Sequence, residues 1–133
     1  MKGSGEAKAR DYMSTRLVTL RPEMDVLGAM QTLLDAQVSG APVVDSRGGL
    51  LGILTQRDCL EVAMQATYHQ APAGRVSDYM TSPVETLSAS ASLVEVIETF
   101  HRSRYRRFPV IEHNRLVGQI SRRDILRAIL ELW

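Results

Sequence analysis

The feature that most constrains this chain is that it repeats itself. Asp11-Tyr12-Met13-Ser14 returns as Asp78-Tyr79-Met80-Thr81, an offset of 67 residues. The same offset carries Thr19-Leu20 onto Thr86-Leu87, Thr32 onto Thr99, and Pro42-Val43 onto Pro109-Val110. After the polar stretch Ser46-Arg47-Gly48-Gly49 the offset drops to 66, aligning Leu50 with Leu116, Gly52 with Gly118, and Arg57-Asp58 with Arg123-Asp124. A polar turn is where a one-residue deletion is tolerated. The 133 residues are therefore two copies of one unit of roughly sixty residues, which fixes the fold as a tandem repeat.

Each copy reads strand, helix, strand, strand, helix. A short extended segment, Leu17–Leu20 or Val84–Leu87, precedes a helical period carried by Val26, Met30, Leu33 and Leu34 or by Leu93, Val96, Ile97 and Phe100. Ser92 with Glu95 gives the second of these helices a capping-box start. Pro42 and Pro109 open apolar extended runs, because proline excludes the α region for the residue before it and is tolerated at a strand's first position. A tight turn leads to Leu50–Leu54 or Leu116–Ile120, and an amphipathic helix closes each copy near Gln56–Ala66 and Arg122–Leu132. The expected organisation is a tail over 1–10, a first repeat over 11–67, a linker over 68–75 marked by Pro72 and Gly74, and a second repeat over 76–133. The fold class is mixed, α/β (α+β), with two tandem β-α-β-β-α repeats. Two helices cover both faces of a three-stranded sheet poorly, so the copies are expected to pack as a pair.

Composition then removes several classes. A single cysteine, Cys59, excludes an internal disulfide and a multi-cysteine zinc site and fits a reducing compartment. No apolar run approaches the roughly 20 residues of a membrane span, and MKGSGEAKAR lacks the apolar stretch of a signal peptide. A soluble, cytoplasmic protein is expected. Net charge is +1, yet residues 101–127 hold eight arginines against Glu112 and Asp124, a local +6. Part of that cluster is explained by His101, Arg102 and Arg104 at a helix C-terminus, where cations stabilise. The near-neutral total and seven aromatics without a stacking pattern argue against an RNA binder. The three histidines fall in the linker (His69), at a helix end (His101) and in a turn (His113), so neither a triad nor a metal spacing emerges. Glu98 and His101 stand three apart without a second ligand pair, and Cys59, Met13 and Met80 read as packing residues. Catalysis is not expected.

The motif that carries chemistry sits at each strand-to-helix junction. Gly52-Ile-Leu-Thr55-Gln-Arg-Asp58 and Gly118-Gln-Ile-Ser121-Arg-Arg-Asp124 both fit G-x-x-[ST]-x-x-D. One reading is purely structural: a hydroxyl followed three residues later by an acid caps a helix. The other is functional. Glycine admits a ligand close to the strand, a helix N-terminus offers N–H groups to phosphate, and a carboxylate one turn in accepts the vicinal hydroxyls of a ribose. Its occurrence twice at equivalent places favours the ligand.

These residues resemble the cystathionine-β-synthase (CBS) domain pair, or Bateman module, over about Asp11 to Leu130. The likeness rests on the paired DYM[ST], on APVVD and FPVIE, and on GILTQRD and GQISRRD, in order and twice. The resemblance implies a pseudo-twofold pair with two clefts between the repeats that bind adenosine nucleotides, commonly as a homodimer regulating another protein. Carried over, one cleft is expected to use Thr55 and Asp58 with Ser82, Val84, Arg106, Arg107 and Phe108. The other is expected to use Ser121 and Asp124 with Thr15, Leu17, Ser39, Gly40 and Ala41, apolar side chains sandwiching the adenine in each. Only the Asp58 cleft receives arginines suited to gripping phosphate, so AMP, ADP or ATP is expected to bind there more tightly than at Asp124. S-adenosylmethionine, NAD and cyclic dinucleotides share the ribose contact and stay open. The competing expectation is a ligand-free dimerisation scaffold in which Asp58 and Asp124 are only caps.

Overall fold

In the computed structural model, which describes residues 7–69 and 74–132, the chain forms two compact units. One, the middle unit, is Val18–Val84; the other, the flanking unit, is Met1–Leu17 with Glu85–Trp133. The units are not the two sequence repeats. The opening segment of each repeat is built into the unit formed by the other.

In the middle unit, helix α2 (Val26–Ala36) starts at Asp25, whose side chain accepts from the Gly28 N–H at 3.3 Å. It buries Val26, Ala29 and Leu33 and ends at Gln37 in the left-handed region (φ 56°), where Val38 N–H closes onto Leu33 O. Leu34, expected on the buried face, is 68% exposed instead. Strands β1 (Gly40–Val44) and β2 (Leu50–Thr55) pair antiparallel, and Leu20 joins Val43 in a parallel bridge. Between them Asp45 accepts from the N–H groups of Arg47 and Gly49, both at 2.8 Å, while Gly48 takes φ 85°. Those bonds hold the Asp45 carboxyl below its usual range. Helix α3 runs Gln56–His69, past the expected end at Ala66, so Tyr68 and His69 are helical rather than linker. Residues 70–73 of that linker lie outside the described residues. The short helix α4 (Val76–Tyr79) brings the fully buried Val76 to a core of Leu20, Val26, Leu33, Val43, Leu54 and Val62.

The flanking unit repeats the plan. Strand β3 (Leu87–Ser88) pairs parallel with β4 (Arg107–Glu112), which pairs antiparallel with β5 (Arg115–Ser121). Strand pairing thus begins at Leu20 and Leu87, at the ends of the extended segments rather than along them. Helix α5 (Leu93–Arg102) has Ser92 as its cap: Ser92 Oγ accepts from Glu95 N–H at 3.1 Å and donates to the Glu95 carboxylate at 3.2 Å. Helix α6 (Arg122–Leu132) turns Ile125 and Ala128 inward. Helix α1 (Ala9–Tyr12) docks here, with Ala9 N–H on Ala91 O and Leu93 N–H on Ala7 O, both at 2.9 Å. In the middle unit, α4 is flanked by matching bonds, Val26 N–H to Gly74 O and Val76 N–H to Met24 O, both at 2.9 Å. Asp11 and Asp78 cap α1 and α4 alike, accepting from the Lys8 and Arg75 N–H groups at 2.9 Å.

Candidate functional site

Two equivalent turns carry the site, one in each unit. At the end of β2, Thr55 N–H and Thr55 Oγ1 both donate to Asp58 Oδ2, at 2.9 and 3.0 Å, and Asp58 N–H donates back to Thr55 Oγ1 at 3.2 Å. At the end of β5, Ser121 N–H and Oγ reach Asp124 Oδ2 at 2.8 and 3.0 Å, and Asp124 N–H returns to Ser121 Oγ at 3.2 Å. These are reciprocal caps, so the structural reading of the motif is realised in full. Each carboxylate is half-buried and keeps Oδ1 outside that exchange.

The helix starts have little left for an anion. Gln56 N–H donates to Ser39 O and Arg122 N–H to Arg106 O, both at 2.9 Å. With the bonds at residues 55, 58, 121 and 124, only the Arg57 and Arg123 amides of these first turns lack a named acceptor among the described residues. The expectation that main-chain N–H groups cradle phosphate is corrected accordingly; a phosphate here needs side chains.

The glycines also have another explanation. A Cβ on Gly52 would lie 2.8 Å from Thr81 O and 2.9 Å from Met80 Sδ; one on Gly118 would meet the Met13 side chain and sit 3.0 Å from Ser14 O. The close approach is made by the opening segment of the other repeat rather than by a ligand. Thr81 exchanges both main-chain bonds with Ile53, at 2.8 and 3.0 Å, and Ser14 does so with Gln119, at 2.8 and 2.9 Å. Met13 and Met80 pack against the cores of their units, as expected of them.

The remaining site residues divide between the units. The middle unit holds Thr55, Asp58, Ser82, Val84, Ser39, Gly40 and Ala41, and the flanking unit holds Thr15, Leu17, Arg106, Arg107, Phe108, Ser121 and Asp124. Gly40 stands opposite Thr55 in the β1–β2 ladder, and Arg107 opposite Ser121 in β4–β5. Within a unit, each carboxylate is therefore beside the pre-proline segment of its own repeat. Ser82, Thr15, Ser39, Arg106 and Arg107 are exposed. Phe108 and Ala41 are 1% exposed. The Phe108 ring packs edge-on against Phe100, centroids 4.9 Å apart, so it belongs to the core and is not free to wall an adenine.

Two contacts escaped the sequence reading. Thr81 Oγ1 donates to Asp58 Oδ1 at 3.1 Å, and Arg127 Nη1 lies 3.5 Å from Asp124 Oδ1. Thr81 stands in the repeated opening and Arg127 at i+3 from the acid, and neither spacing distinguishes a contact from a surface residue. Cys59 is half-buried, and burial followed by the neighbouring Asp58 charge raises its thiol pKa, the opposite of an activated nucleophile. Among the described residues no group of three or more His, Cys, Asp or Glu is placed to hold a metal ion, and no helix is long and apolar enough to cross a membrane.

Comparison with known proteins matches the sequence and the fold. The family model described as the CBS domain matches twice, over residues 9–65 and 76–131. The protein MJ1225 of Methanocaldococcus jannaschii is 29% identical over 93% of this chain, which spans only 43% of that protein's length. Among solved structures, CBSX2 of Arabidopsis thaliana in complex with AMP is 26% identical, with a TM-score of 0.81 over 94% of this chain and 97% of the other. The cytosolic domain of the Mg2+ channel MgtE in complex with ATP is also 26% identical, with a TM-score of 0.77 over 92% of this chain and 49% of the other.

Proposed function

The chain belongs to the CBS domain family, and we propose that it is a regulatory module that senses an adenosine nucleotide rather than an enzyme. The observation that carries this reading is the duplicated turn in which a half-buried carboxylate is held by its own cap and keeps one oxygen outside it. A carboxylate so fixed loses little freedom when it accepts a ribose hydroxyl. Asp58 and Asp124 are the sugar receptors, with Thr55 and Ser121 beside them. Ser82 and Val84, and Thr15 and Leu17, follow the openings that cross each receptor strand. Ser39, Gly40 and Ala41 contribute main chain, as does Phe108. Arg106 and Arg107 take the phosphate, being exposed and without a carboxylate partner among the described residues. The AMP held by CBSX2 and the ATP held by MgtE support a ligand of the AMP, ADP or ATP type.

The module acts as a homodimer in the cytoplasm and signals to a regulated protein. Helix α3 exposes Leu60, Met64 and Tyr68, and α6 exposes Leu126 and Leu130. Leu60 with Leu126 and Met64 with Leu130 are repeat equivalents. An apolar stripe repeated at the same helical positions suits a subunit contact.

A second reading is the ligand-free scaffold, and the completed caps favour it: every bond from Asp58 and Asp124 to its own turn is accounted for without a ligand. A thermal-shift panel of AMP, ADP, ATP, NAD, S-adenosylmethionine and cyclic dinucleotides separates the two. A ligand at a hundredfold over its dissociation constant adds about 2.7 kcal/mol, several degrees in Tm. A scaffold gives no shift with any of them.

A further inference from the structure

Oδ2 of each carboxylate is committed to its own turn, so Oδ1 is the atom each receptor has left for a sugar. The two Oδ1 atoms meet different donors. Asp58 Oδ1 accepts from the Thr81 hydroxyl at 3.1 Å, whereas Asp124 Oδ1 faces the Arg127 guanidinium at 3.5 Å. The repeat sharpens the contrast, because the position equivalent to Arg127 is Glu61. One turn beyond the acid, then, the first receptor has a carboxylate and the second a cation. A hydroxyl donates, accepts and rotates, so Thr81 can remain bonded while a diol enters. A guanidinium only donates, and competes with the ribose hydroxyl for the same oxygen.

We propose that Arg127 is the residue that sets the two receptors apart: it occupies Asp124 Oδ1 in the free protein and lowers that receptor's affinity for the uncharged nucleoside. This rests on Asp58 and Asp124 being the ribose receptors. Arg127 is 69% exposed and Asp124 17%, so the displaced guanidinium returns to water, and the effect is that of an exposed pair, roughly two- to fivefold in affinity.

Calorimetric titration with adenosine, which has no phosphate for the guanidinium to attract, tests it. In an Asp58→Asn background, which leaves the Asp124 receptor, Arg127→Gln tightens adenosine binding by roughly two- to fivefold, and Arg127→Lys, which keeps the charge, gives no gain. In an Asp124→Asn background, Glu61→Arg weakens adenosine binding at Asp58. Adenosine affinity unchanged or reduced by Arg127→Gln, in a protein whose wild type binds adenosine, overturns the role of Arg127 and leaves the receptor assignment standing. Absence of adenosine binding from the wild type and every variant overturns the receptor assignment, and the role of Arg127 with it.

Discussion

Met80 Sδ lies 2.9 Å from where a Cβ on Gly52 would stand. The second repeat is thereby locked to the receptor strand of the first, and Met13 does the same at Gly118. Gly52→Ala and Gly118→Ala are each expected to destabilise the protein by about 1–3 kcal/mol, the cost of overpacking a filled contact. The urea midpoint of each variant checks this. A midpoint matching wild type contradicts the exchange of opening segments.

Loss of the caps is expected to cost less. Thr55→Ala and Ser121→Ala each remove a hydroxyl that accepts from one main-chain N–H and donates to a carboxylate. A decrease of about 0.5–2 kcal/mol in each is expected from chemical denaturation. Because the cap bonds of each turn involve no residue of the other, the double variant should show the sum within a few tenths of a kcal/mol.

The turn at Asp45 sets an acid-side dependence. Its folded pKa is lowered, first by the Gly49 N–H and then by that of Arg47. A lowered carboxylate pKa gives stability that is present above the unfolded value of about 4 and is lost as pH falls through the folded value. Denaturation curves recorded from neutral pH into acid should therefore decline less steeply for Asp45→Ala than for wild type. An identical acid slope contradicts the assignment.

The apolar stripes on α3 and α6 are tested by charge. Leu60→Glu with Leu126→Glu places carboxylates at two exposed, repeat-equivalent positions, 67% and 62% accessible. The wild type is expected to sediment as a dimer and the double variant as a monomer with an unchanged circular dichroism spectrum. A monomeric wild type removes the homodimer from the account.

Much of this was legible in the sequence because it is written twice. The offset between Asp11-Tyr12-Met13-Ser14 and Asp78-Tyr79-Met80-Thr81 gave the repeat, and Pro42 and Pro109 marked the strands, which begin two residues before them, at Gly40 and Arg107, rather than on the prolines. The exchange of openings does not follow from the repeat itself, which states what a segment is and not which copy it docks on; the resemblance alone set Ser82 and Val84 with Asp58, and Thr15 and Leu17 with Asp124. Its extent shows in contacts such as Ala9 N–H to Ala91 O. Leu34 misled because helical periodicity records a face without recording whether a neighbour covers it. At the site, Thr55-x-x-Asp58 and Ser121-x-x-Asp124 were readable as cap or receptor, and the geometry realises the cap while leaving Oδ1 outside it. The resemblance puts Phe108 among the cleft residues, but its ring is claimed by Phe100 and the core.

The central claim is that these two carboxylates bind the sugar of an adenosine nucleotide. Calorimetric titration with AMP of the wild type, Asp58→Asn, Asp124→Asn and the double variant tests it most directly, because asparagine keeps the side chain's size and a capping oxygen. The account expects AMP to bind the wild type, to lose affinity with each single change and more with Asp58→Asn, and to fail to bind the double variant. Equal AMP affinity in the wild type and the double variant, or no AMP binding to the wild type, contradicts it.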